Sequence, residues 1–374
     1  MIYLDNNATT PILPEVVDAM LPYLREQYGN PSSDHPLGRA ASDAVERARE
    51  SVAALLGAPP GSIVFTSGGT EASNLAIRGL CAAIPGRRHL VTSAIEHPAT
   101  VRPCATLATA GYRVTVVPVD ATGRVDVRDV ADAVGEHTAL VSIMHSNNEI
   151  GTLQPIAELA GPVHASGAWL HTDAAQSVGK VEVDVEVLGV DLVTVAGHKL
   201  YAPKGVGALY VRPGTPLHPV LVGAGHEGGL RPGTENVASI VGLGVACAVA
   251  RRDLAAESTR LRAVRDDLHS RLAARVPGLA LSGHPDHRLP NTLNVRFPGV
   301  SGRAVLARAP DVYASTGSAC HEGGGETPSA VQLALGLDRT EALGAVRLTL
   351  GRHTTVEDAQ TAADRLIAAW EGLV

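Results

Sequence analysis

Runs of consecutive apolar residues recur between residues 63 and 211 of the 374-residue chain, at 63–66, 89–93, 113–117, 140–144, 169–172, 192–196 and 207–211. Several are apolar at successive positions rather than alternating, as expected of strands covered on both faces. Between them lie stretches with apolar residues at helical spacing, such as 40–56. This strand–helix alternation predicts an α/β layer built on a mostly parallel sheet.

The texture changes after residue 253. Leu254, Leu261, Val264, Leu268 and Leu272 share one helical face, which predicts a long amphipathic helix leading out of the large domain. Strand-like pieces at 292–296 and 347–350, and a closing helix at 356–373, predict a smaller α+β domain. The expected division is a large domain over 15–253 and a small one made of 1–14 together with 254–374.

Composition narrows the function classes. Apolar residues make up 45% and charged residues 18%, enough for a sizeable core and unlike a disordered chain. Aromatics, at 3%, leave that core to Ala, Val and Leu. A net charge of −7 without a dense Lys/Arg cluster argues against a nucleic-acid or anionic-membrane surface. The longest apolar run, 240–250, ends at Arg251 and Arg252 and is too short to span a bilayer. The opening MIYLDNNATTP lacks the basic and apolar regions of a signal peptide. Cys81, Cys104, Cys247 and Cys320 lie far apart, in a spacing that fits neither a disulfide framework nor a zinc site. The expectation is a soluble cytoplasmic protein without a metal.

Ligands of parallel α/β sheets gather beyond the carboxyl ends of strands, so the polar residues there carry the candidate chemistry. In FTSGGTEASNLA a strand ends at Thr66, and Ser67, Gly68, Gly69 and Thr70 open a helix whose free N–H groups suit a phosphate. Taken alone, an ordinary glycine turn with a threonine cap is the simpler reading of this stretch. In WLHTDAAQSVGK an apolar strand runs into Asp173, with Gln176 three residues on. A carboxylate held there needs a cationic or hydrogen-bonded partner, and a protonated pyridine nitrogen would serve; a helix N-cap is the alternative. DLVTVAGHKLYAPKG places His198 and Lys199 after a buried strand. Lost solvation lowers the pKa of such an amine and makes it a Schiff-base nucleophile, unless it snorkels to the surface. SAIEHPAT and MHSNNEIG add His97, Asn147 and Asn148 behind two further strands. Together these are the parts of a pyridoxal 5′-phosphate (PLP) site. Residues 223–228, GAGHEG, match a nucleotide-binding G-x-G-x-x-G but run into GLRP instead of a helix.

Over almost its whole length the chain resembles the cysteine desulfurase and selenocysteine lyase family of class V aminotransferases. The shared motifs are YLDNNATTP, GNPSS, FTSGGTEASNLAI, EHPA, NNEIG, HTDAAQSVGK, GHKLYAPKGVGALY, RPGTEN, PNTLN, GSAC and RLTLGR. The resemblance implies a fold-type I PLP-dependent transferase, with a mostly parallel seven-stranded sheet in its large domain and a small α+β domain carrying the Cys320 segment. It implies that Lys199 bonds the cofactor, that Asp173 pairs with the ring nitrogen, and that Gln176 meets the phenolic oxygen. His97 would stack on the ring and move protons, while Gly69, Thr70 and His198 would hold the phosphate. Asn148 would lie near the ring oxygen and the substrate carboxylate, and Arg347 would clamp that carboxylate. Thr234 would reach the neighbouring subunit's cofactor, which implies a homodimer. Three positions depart from the family pattern. Ala196 replaces a common serine, Ala202 a usual glycine, and Gly228 a common arginine.

The implied reaction converts L-cysteine to L-alanine and leaves the sulfur on Cys320 as a persulfide, for delivery to an acceptor protein. Selenocysteine lyase and a biosynthetic C–S lyase are the alternatives. A free thiol has a pKa near 8.5, so Cys320 needs a proton acceptor: His97, His321 or the substrate thiol. The glycine-rich HEGGGETP after Cys320 has low barriers to backbone rearrangement and suits a thiol that carries its cargo. The other three cysteines sit in helical or apolar contexts and read as small core residues.

Overall fold

The computed structural model describes residues 1–316 and 327–374. Its strands are β1 (Ile2–Tyr3), β2 (Ile63–Thr66), β3 (His89–Ser93), β4 (Arg113–Val117), β5 (Thr138–Ser142), β6 (Trp169–Asp173), β7 (Leu192–Ala196), β8 (Gly207–Val211), β9 (Ala280–Ser282), β10 (Thr292–Arg296), β11 (Val312–Tyr313) and β12 (Ala345–Thr349). Strands β2 to β8 form one seven-stranded sheet in the order β2-β8-β7-β6-β5-β3-β4. All its pairings are parallel except those of β8, which runs against both β2 and β7. The α/β, mostly parallel layer expected from the apolar runs is the one present.

Two strands are shifted along the chain, and a third, expected at 169–172, extends to Asp173. The run 140–144 is apolar except at Ser142, yet the strand is Thr138–Ser142. Beyond it, the Met144 N–H donates to the Glu96 carboxylate at 3.0 Å and turns away from strand pairing. The run 347–350 belongs to a strand that begins at Ala345. Both shifts arise because pairing, not hydrophobicity, sets a strand's ends.

The amphipathic helix expected after residue 253 is the second half of one continuous helix, Val237–Arg275. Its first half is apolar on all sides and mostly buried, with one face, Val241, Val245 and Ala248, partly open. It packs on helices Pro14–Arg25 and Pro36–Leu56, with Gly244 so close to Ala48 that a Cβ there would fall 2.6 Å from the Ala48 Cα. Its second half buries Leu261, Val264, Leu268 and Leu272 against helix Val356–Glu371 and the antiparallel sheet β12-β10-β9. Two cores therefore hang on one rod, and the expected cut at 253 lies within it.

The N-terminal segment joins the two. β1 pairs in parallel with β11, and the Thr349 N–H donates to Leu4 O at 2.7 Å. The chain then crosses to the large sheet, where the Thr10 N–H donates to His198 O at 3.0 Å. Residues 7 and 8 are thereby laid over the carboxyl ends of the large sheet's strands. No helix among the described residues is long and apolar enough to cross a membrane.

Candidate active site

The parallel strands β3, β5, β6 and β7 end beside one another, where β3 lies between β5 and β4 and the sheet's winding reverses. A cavity of about 320 Å³ opens there. Gly69, Thr70, His97, Asn148, Asp173, Gln176, His198, Lys199 and Arg347 all line it. With Asn7, which also lines it, residues separated by up to 340 positions (347 minus 7) thus meet in one place. Thr234 does not line the cavity and is exposed in the segment after β8. Cys320 lies outside the described residues.

Lys199 closes a short 3₁₀ turn, Gly197–Lys199, directly after β7. Its Nζ donates to Asn7 O, and to Ala8 O at 2.9 Å. Burial, followed by the charge of Arg347, lowers the amine from 10.5 to about 8. Asp173 ends β6 and is buried. One oxygen accepts the Ala175 N–H at 3.0 Å. Burial raises its pKa, while the Ala175 bond and the charges of His97 and Lys199 oppose that rise. His97 caps helix Pro98–Thr109 by accepting the Ala99 N–H on Nδ1 at 3.1 Å. The neutral ring therefore carries its proton on Nε2. Burial lowers the pKa of His97, with Asp173 opposing. Burial also holds His198 down to about 4, so this ring is neutral at working pH.

On the wall formed by the second sheet, Arg347 donates from Nη2 to Asp5 Oδ1 at 2.7 Å and from Nη1 to Asn148 O at 3.1 Å. Its Nε is buried with no partner among the described residues, a donor left for a ligand or at a cost of about 1–3 kcal/mol. On the opposite wall the helical stretch beginning at Gly69 starts behind Gly68, at φ +151°. Glu71 steadies this turn by accepting the Ser67 N–H at 2.6 Å and Arg231 Nε at 3.0 Å. A Cβ on Gly69 would come within 3.2 Å of Ala196 Cβ, so an apolar methyl stands where a serine hydroxyl is common.

The residues fit PLP. A buried carboxylate faces the cavity with one N–H donor and suits a protonated ring nitrogen. A glycine turn at a helix start suits a phosphate, and a lysine whose pKa is lowered toward neutrality suits an aldehyde.

The sequence reading missed Asn7. It lines the cavity and is its main structural joint. Its carbonyl accepts from Lys199 and, at 2.9 Å, from Gln176 Nε2. Its Nδ2 donates to Thr292 Oγ1 at 2.9 Å, and its Oδ1 accepts from Asn291 at 3.1 Å. Asp5, the partner of Arg347, was missed too. Both lie in YLDNNATTP, which the resemblance highlighted without assigning it a task; three polar residues in succession after an apolar start were the available signal. The glycine-rich 223–228 stretch leads only into a short 3₁₀ turn, Glu227–Gly229, so the nucleotide-binding reading has no helix to rest on. Gly228 sits at φ +63°, a left-handed position favouring glycine over the arginine common there. Cys81, Cys104 and Cys247 are buried, and burial pushes each thiol up to about 12.

Residues 2–361 match the aminotransferase class-V family, and the chain belongs to it. It is 44% identical to the cysteine desulfurase IscS of Dictyoglomus turgidum, over 98% of this chain and 93% of that protein. It is 46% identical to the cysteine desulfurase NifS of Azotobacter vinelandii, over 96% of this chain and 89% of that one. Among solved structures, a NifS-like protein superposes with a TM-score of 0.92 at 35% identity, covering 98% of both chains.

Proposed function

We propose that the protein is a PLP-dependent cysteine desulfurase, converting L-cysteine to L-alanine and moving the sulfur to Cys320. One observation carries this reading: a single cavity joins a half-buried lysine of lowered pKa, a buried carboxylate, and an arginine whose Nε has no partner among the described residues. The full-length likeness to cysteine desulfurases supports the choice of substrate.

Lys199 would bond the cofactor aldehyde, Asp173 would keep the proton on the ring nitrogen, and Gln176 Nε2 would donate to the phenolic oxygen. Gly69, Thr70 and His198 would border the phosphate. The bound cofactor would supply an electron sink for the pair left when a Cα–H bond breaks. Arg347 and Asn148 would receive the α-carboxylate, fixing which substrate bond faces the ring. The Lys199 amine, uncharged above about pH 8, would take the Cα proton. His97, with a proton on Nε2, is placed to return one to carbon. The Cys320 thiolate attacks the substrate sulfur, so an S–S bond forms as the Cβ–S bond breaks. The atoms balance as cysteine plus thiol giving alanine plus persulfide, without an external oxidant. The family resemblance supports, as part of this proposal, a homodimer with Thr234 offered to the partner's cofactor, and a separate protein as sulfur acceptor.

The test is turnover of L-cysteine by the holoenzyme, with alanine and sulfide quantified and Cys320 examined by mass for one added sulfur. Cys320→Ala should keep the cofactor colour yet form no persulfide, and Lys199→Ala should lose borohydride-trappable cofactor. Native-rate sulfide release by Cys320→Ala would remove Cys320 from the reaction. Running selenocysteine in parallel separates desulfurase from lyase specificity.

A further inference from the structure

Lys180 is a buried amine that the reaction above does not use. A tight turn places it. The N–H groups of Ser177 and Val178 donate to Ala174 O at 2.9 and 3.0 Å, the Lys180 N–H donates to Ser177 O at 2.9 Å, and Gly179 takes φ +78°. The side chain is thereby turned back on Gln176. Its Nζ donates to Gln176 O at 2.9 Å and to Gln176 Oε1 at 3.3 Å. Among the described residues both acceptors are neutral oxygens, which is unusual for an amine only 8% exposed. The charged groups acting on it, Lys199 and Arg347, are themselves cations; with burial as the larger cause, they bring Lys180 down to about 7.

An amide has a donor end and an acceptor end, and its surroundings decide which way it points. Lys180, charged or neutral, has at least two N–H donors, one for each Gln176 oxygen. At the other end, Gln176 Nε2 donates to Asn7 O at 2.9 Å. Turning the amide over would set its NH₂ against the lysine and its oxygen against the Asn7 carbonyl. We propose that Lys180 is a positioning residue that locks the Gln176 amide, so that the second Nε2 proton is presented to the pocket. On the PLP reading, on which this inference rests, that proton meets the cofactor's phenolic oxygen.

The consequence is spectroscopic. A donor stabilises the phenolic anion, which then holds the neighbouring proton less strongly, so the bound chromophore changes colour at a lower pH. Lys180→Met should raise the pH midpoint of the holoenzyme's colour change by about one unit, a tenfold change in proton affinity. Lys180→Gln, which keeps a donor, should restore the wild-type midpoint. On a Gln176→Ala background, itself shifted upward, Lys180→Met should add nothing, because both changes remove one interaction. His97, Asp173, His198, Arg347 and, behind Arg347, Asp5 also act on the pocket and are unchanged in every arm. Lys180→Leu repeats the first arm should the methionine variant not fold. An unshifted midpoint in the apolar variant overturns the lock, as does a shift that persists without Gln176. If the wild type takes up PLP and Lys199 is trapped by borohydride, either result leaves the cofactor reading standing. If the wild type takes up none, both fall.

Discussion

Lys199 shows how one side chain acquires chemistry from its surroundings. An exposed lysine titrates near 10.4, whereas burial and the Arg347 charge bring this one to about 8. A lowered pKa means that the uncharged, nucleophilic amine predominates above about pH 8. The rate at which apoprotein captures PLP should therefore rise with pH and level off past that point. Arg347→Gln removes a positive neighbour, so the midpoint should move upward. Stopped-flow absorbance on both proteins checks the sign. The lysine itself was visible in the sequence as an ammonium out of place after an apolar strand. Its partners Asn7 and Ala8 were not, because a carbonyl oxygen brought from 192 residues away leaves no trace in the local pattern.

At the scale of elements, the phosphate-side turn depends on close backbone packing. Gly207 in β8 lies against the Gly68 turn; a Cβ there would fall 2.7 Å from Gly68 Cα and 2.5 Å from Val195 O. Gly207→Ala should cost about 1–3 kcal/mol in denaturant unfolding and weaken PLP retention, because the turn must move. Gly61→Ala, with nothing within 4 Å of its Cβ, serves as the control and should stay within about 0.5 kcal/mol. Strand positions in the large sheet were legible because buried parallel strands are continuously apolar. The helix start at Val237 was not legible as the beginning of the later amphipathic stretch, since an apolar face on every side has no period to read.

At the scale of the whole molecule, the cavity is closed by both cores. Asp173 and Lys199 come from the large sheet, Arg347 comes from β12, and the N-terminal crossing holds them together through Asn7. Bound PLP should therefore stabilise the entire fold. At a hundredfold excess over Kd the gain is about 2.7 kcal/mol, seen as a higher thermal midpoint, with a smaller gain in Lys199→Ala.

By itself the sequence determined the layer architecture and the identity of the reactive groups. Both are local properties: apolar runs report burial, and a lysine, aspartate or glycine turn carries its chemistry wherever it is placed. Only the tertiary structure decided that Asp5 pairs with Arg347, that Asn7 joins the two cores, and that Lys180 faces Gln176. Two of these contacts, those of Asp5 and Asn7, bring together segments far apart in the chain. The third depends on which way an amide points, and neighbours settle that.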